Sequence, residues 1–156
     1  MTARVEPATP NDLDLLVRLM TEFYAESRFS FEALRAHSAF ETLLADPRCG
    51  RAWLIRSGDE VAGYFVMTLG YSMEFGGLSA FLDDLFIRAA FRGRGFGRTA
   101  LATLRAECEA LGVRVVHLEA ERDNEAAQRL YRAAGFAGRD LQLLTLRLSE
   151  PLHDGE

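Results

Sequence analysis

One stretch constrains this chain more than any other: Asp83-Asp84-Leu85-Phe86-Ile87-Arg88-Ala89-Ala90-Phe91-Arg92-Gly93-Arg94-Gly95-Phe96-Gly97-Arg98. An apolar strand runs into a turn rich in glycine and arginine, and the turn runs into a helix. Gly93, Gly95 and Gly97, at alternate positions, leave backbone N–H groups uncovered by side chains. The helix starts at about Gly95, so its first unpaired N–H groups point back at the turn. The positive end of its dipole lies there too. Arg92, Arg94 and Arg98 add charge, and guanidinium suits phosphate oxygens. The segment is therefore expected to hold a phosphate-bearing ligand.

Two common phosphate loops do not match it. A P-loop ends in Gly-Lys-Ser/Thr, and this chain contains no lysine. A dinucleotide fingerprint places G-x-G-x-x-G after the first strand with an acid about 20 residues on. Here the glycines run G-x-G-x-G and follow a long stretch of other structure. What remains is Arg-x-x-Gly-x-Gly, Arg92 to Gly97, after an apolar strand.

Length and composition set the frame. The 156 residues suit one domain, taken as 1–150, with 151–156 a frayed tail. The chain is 49% hydrophobic, enough for a real core. A net charge of −5 argues against a nucleic-acid partner, whose phosphates want a basic surface, and permits a cationic substrate. Cys49 and Cys108 stand far apart in no metal spacing, which fits a reduced cytoplasmic setting without a disulfide. His37, His117 and His153 make no metal pattern, so no metal is expected. The N-terminus lacks a charged-then-apolar signal and no apolar run reaches a membrane span, so no membrane partner is expected.

In chain order, residues 3–8 read as a strand. Thr9-Pro10-Asn11-Asp12 starts a helix, with Thr9 as cap and Pro10 at its first position. Leu13, Leu16, Val17, Met20 and Tyr24 share one helical face. Ser30 caps a second helix over Phe31 to Ala45. Arg51 to Ser57, Val61 to Tyr71 and Ala80 to Ile87 read as an antiparallel meander. A helix from Gly95 to Leu111, ended by Gly112, crosses over to a parallel strand, Val113 to Ala120. Asn124 caps a helix over Glu125 to Ala134. Phe136 and then Leu141 to Leu148 read as a final hairpin.

The segment Asn124 to Phe136 supplies a second motif: Asn-Glu-Ala-Ala-Gln-Arg-Leu-Tyr-Arg-Ala-Ala-Gly-Phe. An Asn opens the helix, a Tyr follows seven residues later, and Gly-Phe closes it. Together the two motifs, in this order and context, resemble the GCN5-related N-acetyltransferases, the GNAT superfamily. The resemblance is strong over residues 80–136 and extends to the element order of the whole chain. It implies an α/β (α+β) fold: a mixed central sheet of about seven strands, four helices, and a splay between the two central parallel strands. Local likeness is to the spermidine/spermine-type and ribosomal-protein N-terminal enzymes. Phe91 fills a position that is commonly Tyr in the family, and Ala89-Ala90 replaces a more usual Pro or acid.

The resemblance implies acetyl-CoA as co-substrate. Leu85, Phe86 and Ile87 would meet pantetheine and the acetyl carbonyl with their backbone. Arg92, Gly93, Arg94, Gly95, Phe96, Gly97 and Arg98 would hold the pyrophosphate, and Asn124 and Ala127 the pantetheine region. The acceptor would be a primary amine of a polyamine- or amino-acid-like small molecule, with a protein N-terminus, or a non-catalytic acyl-CoA-binding role, as alternatives. A homodimer is implied as well.

The reaction sets requirements of its own. An alkylamine is mostly ammonium at pH 7, and neutralising it costs about 4 kcal/mol. Some group must take that proton, and another must support the leaving thiolate. Tyr131 is similar to the family's general acid. For the base, Asp83, Asp84 and Glu119 are candidates. Asp83 and Asp84 are neighbours on a strand and are expected to face opposite ways, Asp83 with Leu85 and Ile87. Glu22, Tyr24, Glu26, Tyr71 and Glu74 are expected around the acceptor, near the break between the first helices and the loop before the central strand.

Overall fold

The computed structural model describes residues 2–27 and 29–149. Its sheet runs in the order β1-β2-β3-β4-β5. The strands are β1 (Ala3–Pro7), β2 (Gly50–Ser57), β3 (Glu60–Ser72), β4 (Gly77–Ile87) and β5 (Val115–Leu118). The helices are α1 (Leu13–Glu26), α2 (Ala33–Ala45), α3 (Phe96–Leu111) and α4 (Glu125–Ala133). β1 to β4 form an antiparallel meander. β5 lies parallel to β4, because α3 carries the chain back between them.

Alternation along the strands feeds two separate cores. Leu16 and Leu19 of α1 and Phe40 of α2 pack on Leu54, Tyr64, Val66 and Phe86. On the other face Phe96, Leu101, Leu104 and Cys108 of α3 pack on Trp53, Ile55, Phe65, Met67 and Leu82. Helix α4 buries no residue fully. Leu130, Tyr131 and Ala134 lean on the α3 side of the sheet.

The helix ends follow from local chemistry. Asp12 accepts hydrogen bonds from the Thr9 amide (2.9 Å) and hydroxyl (3.3 Å), closing the start of α1. Gly112 ends α3 at φ 76°, a left-handed conformation that favours glycine. Helix α2 begins at Ala33 with Glu32 at its N-cap position, later than the expected Phe31 start and Ser30 cap. Phe31 instead sets its ring 6.1 Å from that of Tyr24, which holds this part of the connection outside the helix.

The strand count needs correction. The sheet has five strands where about seven were expected, because residues 137–149 join no strand. The expected hairpin of Phe136 with Leu141 to Leu148 does not form, although Gly138 and Asp140 could reverse the chain between them. It leaves the body as an exposed arm. The expected tail, 151–156, lies outside the described residues.

Candidate active site

The site is built on an irregularity in β4. Val66 pairs with Asp84, but the next residue, Met67, pairs with Leu82. Asp83 is therefore the extra residue of a β-bulge, and side-chain alternation changes phase across it. Without the bulge Asp84 would follow Leu82 onto the α3 face. With it, Asp84 and Phe86 fall on the α1–α2 face. There Asp84 is 6% exposed, and its two carboxylate oxygens accept hydrogen bonds from Tyr24 (3.1 Å) and Tyr64 (2.9 Å). Burial pushes the Asp84 carboxyl up to about 6, against the lowering effect of the tyrosine hydroxyls, and the charge of Asp83 adds to the rise. Asp83 is exposed to solvent, yet crowding by neighbouring atoms raises its pKa also. The charges of both aspartates act on Tyr24 and Tyr64, whose hydroxyls are held protonated mainly by burial. Asp84 thus lies on the face opposite Leu82, Leu85 and Ile87, while Asp83 is the unpaired residue at the bulge itself.

Just past this point the sheet opens. Pairing between β4 and β5 runs from Ser79–Val115 to Leu82–Leu118 and stops. Leu85, Phe86 and Ile87 pair with β3 on one side, while their other edge has no strand partner among the described residues. The Phe86 ring is buried and stacks on Phe23 (5.2 Å between centroids), so Phe86 can offer only its backbone to the gap. Glu119 follows β5 directly and is exposed, one residue beyond the last pair on the far side of the opening.

The glycine turn closes the lower end of the gap. Gly93 and Gly95 sit at φ 72° and 86°, and a Cβ at either would meet nothing within 4 Å. Open space lies over both, as an anion cradle requires. Gly95 is the N-cap of α3, so the helix amides face the turn. The arginines divide in role. Arg92 donates to the Ile87 carbonyl (2.8 Å) and to the Glu26 carboxylate, which ties the turn to the end of α1. Arg94 stacks over the rings of Phe91 and Phe96 at 5.4 and 5.5 Å. Arg98 is free of ion pairs among the described residues and lines a cavity of about 600 Å³ between α3 and α4. Phe96 is buried, so it anchors α3 with its ring and faces the turn only with its backbone.

Gly97 does a different job. A Cβ there would lie 2.9 Å from a Leu130 methyl, so its bareness lets α4 approach the start of α3. That approach brings Tyr131, one residue on, against the α3-side core. Its ring meets Phe136 edge-on at 5.9 Å. Burial raises the phenol pKa, and the hydroxyl has no hydrogen-bond partner among the described residues. Asn124 accepts from the Ala127 amide (3.1 Å), so both residues are engaged in capping α4.

The Acetyltransferase (GNAT) family model matches residues 16–136, most of the chain. The chain belongs to this family. Among curated proteins it is 32% identical over 62 residues to the uncharacterised N-acetyltransferase YycN of Bacillus subtilis (strain 168), a stretch spanning 40% of each chain. The integron cassette protein HFX_CASS3, from the mobile metagenome of Cole Harbour Salt Marsh, is 43% identical. It covers 96% of this chain and 93% of its own, with a TM-score of 0.86. A predicted acetyltransferase from Clostridium acetobutylicum, solved with acetyl-CoA, shares the fold at 16% identity and a TM-score of 0.78, covering 94% of this chain and 97% of its own.

For a GNAT chain, the open β4 edge, the bare glycine turn and the α3 amides fit a pantetheine tether followed by a diphosphate. The acceptor candidates scatter more widely. Glu22 takes a bidentate grip from Arg88 (2.7 and 2.8 Å), which lowers its pKa, and Glu26 is held by Arg92. Both acids act as struts between α1 and the end of β4. Tyr24 reaches the acid pair. Tyr71 and Glu74 lie at the β3–β4 tip, Tyr71 paired with Leu78 and Glu74 bound to Arg139 (2.8 Å). Four residues of strand separate Tyr71 from the bulge, roughly 13 Å. Tyr64 escaped sequence reasoning. Its place in an apolar run made it look like packing, and only a bulge that turns Asp84 toward it gives its hydroxyl a role.

Proposed function

We propose that the protein is an acetyl-CoA-dependent N-acetyltransferase acting on the primary amine of a polyamine- or amino-acid-like small molecule. The observation that carries this reading is the end of β4–β5 pairing at Leu82–Leu118, beside the bulged acid pair. Acetyl-CoA supplies the thioester acetyl group. The Leu85–Ile87 backbone binds its amide tether, and the amides and guanidinium around Gly93 to Arg98 bind its phosphates.

Asp83 is the better proton acceptor. Asp84 is almost wholly buried with both oxygens occupied, whereas Asp83 is exposed. A carboxylate with a raised pKa holds a proton more readily, which suits a base working on an ammonium. Asp84 supplies fixed negative charge behind it and orients Tyr24. Once neutral, the amine nitrogen bonds to the acetyl carbon, the C–S bond breaks, and the proton that the nitrogen then sheds balances the departing thiolate, giving the amide and the free thiol. Tyr131 stays protonated at neutral pH and donates a hydrogen bond to the sulfur as negative charge gathers there. Tyr24, with Phe29 at 5.2 Å and Phe31 beside it, gives the approach to the acids an aromatic wall suited to a cationic or apolar-bodied amine.

A thiol-release screen with acetyl-CoA across polyamines, amino acids, aminoglycosides and peptides tests the reading. Turnover with small amines and not with peptides is expected. Exposed Glu119, across the opening, favours a peptide acceptor as the second reading, and turnover confined to peptides would select it. Tight acetyl-CoA binding without transfer to any amine would leave a binding module. With an accepted amine, Asp83→Asn should remove the acidic limb of the kcat/KM profile. In the wild type that limb should lie above the ordinary aspartate range, since the base works only when ionised. An acidic limb unchanged in the variant would exclude Asp83 as the base.

A further inference from the structure

Between the bulge and the β3–β4 tip, one face of β4 and β5 stays outside both cores. Ala80, Leu82, Val116 and Leu118 face α3. Strand alternation therefore turns Phe81 and His117, which pair across β4 and β5, to the face that carries Asp84. Phe81 packs in neither core, and both residues are half-buried. They floor an open strip that runs from the acid pair to the tip.

The strip changes sign along its length. At the bulge end stand Asp83, Asp84 and, just past β5, Glu119. The tip end holds cations. Arg139 donates to Glu74 (2.8 Å) and lies over Phe75 (5.8 Å), whose ring meets His117 at 6.0 Å. Arg139 and, more weakly, His117 hold the Glu74 carboxyl below its usual range, so the three groups share one electrostatic neighbourhood. Arg139 is exposed, and one ion pair leaves most of its five donors open. Glu74 balances one positive charge, and Arg114 adds a second. A Cβ on Gly77 would lie 2.8 Å from the Arg114 Cγ, and alternation puts that Cβ on the Phe81 face. The bareness of Gly77 thus lets Arg114 cross the start of β4 on the same strip. Arg114 is exposed and has no ion pair among the described residues.

An acceptor lying along this strip meets acids at its amine and an excess of guanidinium at its far end. A polyamine would set a second ammonium against Arg114 and Arg139. A carboxylate suits that end, because guanidinium takes it through two parallel N–H donors. Phe81 and Phe75 between the two ends suit an apolar chain. On the acetyltransferase reading above, we propose that the acceptor is an ω-amino carboxylic acid, its amine at Asp83 and its carboxylate held by Arg114 and Arg139. Glu74 then serves to position Arg139. Strand geometry sets the length. From Asp83 the His117 row lies two residues along β4 and the Gly77 row six, roughly 7 and 20 Å away. An α-amino acid carries both groups on one carbon and cannot reach both ends.

Thiol release from acetyl-CoA with 8-aminooctanoate, octylamine and 1,8-diaminooctane tests this. The amino acid should show a kcat/KM about tenfold or more above both amines, the worth of a charge-assisted hydrogen bond. Arg114→Ala/Arg139→Ala should abolish that preference, chiefly by raising KM for 8-aminooctanoate while its kcat stays close to wild type. Equal use of the three acceptors would overturn the proposal. So would a preference for the diamine, or a preference for the amino acid that survives the double substitution. If the double variant does not fold, the wild-type comparison decides alone. Transfer to none of the three would count against the acetyltransferase reading instead. Calorimetry with coenzyme A bound then decides the subsite by itself: 8-aminooctanoate binding tighter than octylamine supports it, and equal binding overturns it.

Discussion

Burial favours the neutral form of both half-buried Tyr131 and buried Asp84, with opposite consequences at pH 7. For Tyr131 it favours the neutral phenol, the form able to donate a hydrogen bond as the proposed role requires. Tyr131→Phe keeps the ring and its Phe136 contact and loses only the hydroxyl. Turnover in a thiol-release assay should fall by roughly 10²–10⁴-fold, the usual worth of a positioned proton donor. Coenzyme A affinity by calorimetry should stay near wild type. Unchanged turnover would remove the role. For Asp84 burial disfavours the charged form that prevails at pH 7. Its folded pKa, about 6, lies above the ordinary aspartate value of 3.8. Its contribution to stability is therefore fully present below about pH 3.8 and is lost as pH rises through 6. Asp84→Asn removes the charge and can still accept from one tyrosine while donating to the other. It should stabilise the fold at pH 7.5 by on the order of 2–3 kcal/mol, two pK units at 1.36 kcal/mol each. The gain should vanish at pH 4. Equal melting temperatures for the two proteins at pH 7.5 would show that Asp84 is not strained by its charge.

At the scale of elements, the glycine turn divides its residues between making space and making contact. Gly95 is left-handed at φ 86° with open space beyond its Cα, so its bareness serves backbone conformation and ligand approach rather than packing. Gly95→Ala should cost the free protein about 1–2 kcal/mol of strain and should weaken coenzyme A binding more than tenfold in calorimetry. An alanine variant with wild-type affinity would move the diphosphate away from this turn. The turn, the α3 start and the α4 cap were legible in sequence because each rests on local rules: positive φ for Gly95 and Gly112, an Asn side chain capping α4. The acid pair was legible as residues but not as geometry. Strand parity does not reveal the bulge, set by how β3 and β4 fit together, that turns Asp84 away from the Leu82 face toward Tyr24 and Tyr64. Tyr64 and the struts Arg88–Glu22 and Arg92–Glu26 were hidden for the same reason, since each joins residues at least 20 positions apart. The final hairpin failed differently: its hydrophobic pattern reads as strand-like, yet residues 141–148 join no strand, because a pattern alone supplies no partner edge.

Considered as one body, the protein is a sheet with a seam. β1 to β4 form a continuous antiparallel block with helices on both faces, while β5 and α4 hold to it through four pairs of residues and a partly buried helix face. A ligand lying in the seam touches both parts. It should therefore stabilise the molecule as a whole and not only its own contacts. Coenzyme A at 100 times its dissociation constant adds about 2.7 kcal/mol through mass action. In a domain of this size each kcal/mol raises the melting temperature by roughly 2–4 °C. A rise of about 5–10 °C is expected in thermal unfolding. Where the protection falls matters more than the size of the shift. Amides of Leu85 to Ile87 and of the α3 start should slow in hydrogen exchange, because the ligand occupies the open edge and the turn. Amides of α4 should slow with them, because Leu130 packs on Gly97 and carries α4 against the ordered turn. β1 and β2 should not change. Protection limited to the turn, with α4 untouched, would mean that the phosphates are held but the tether does not enter the seam, and Tyr131 would then have no sulfur to meet.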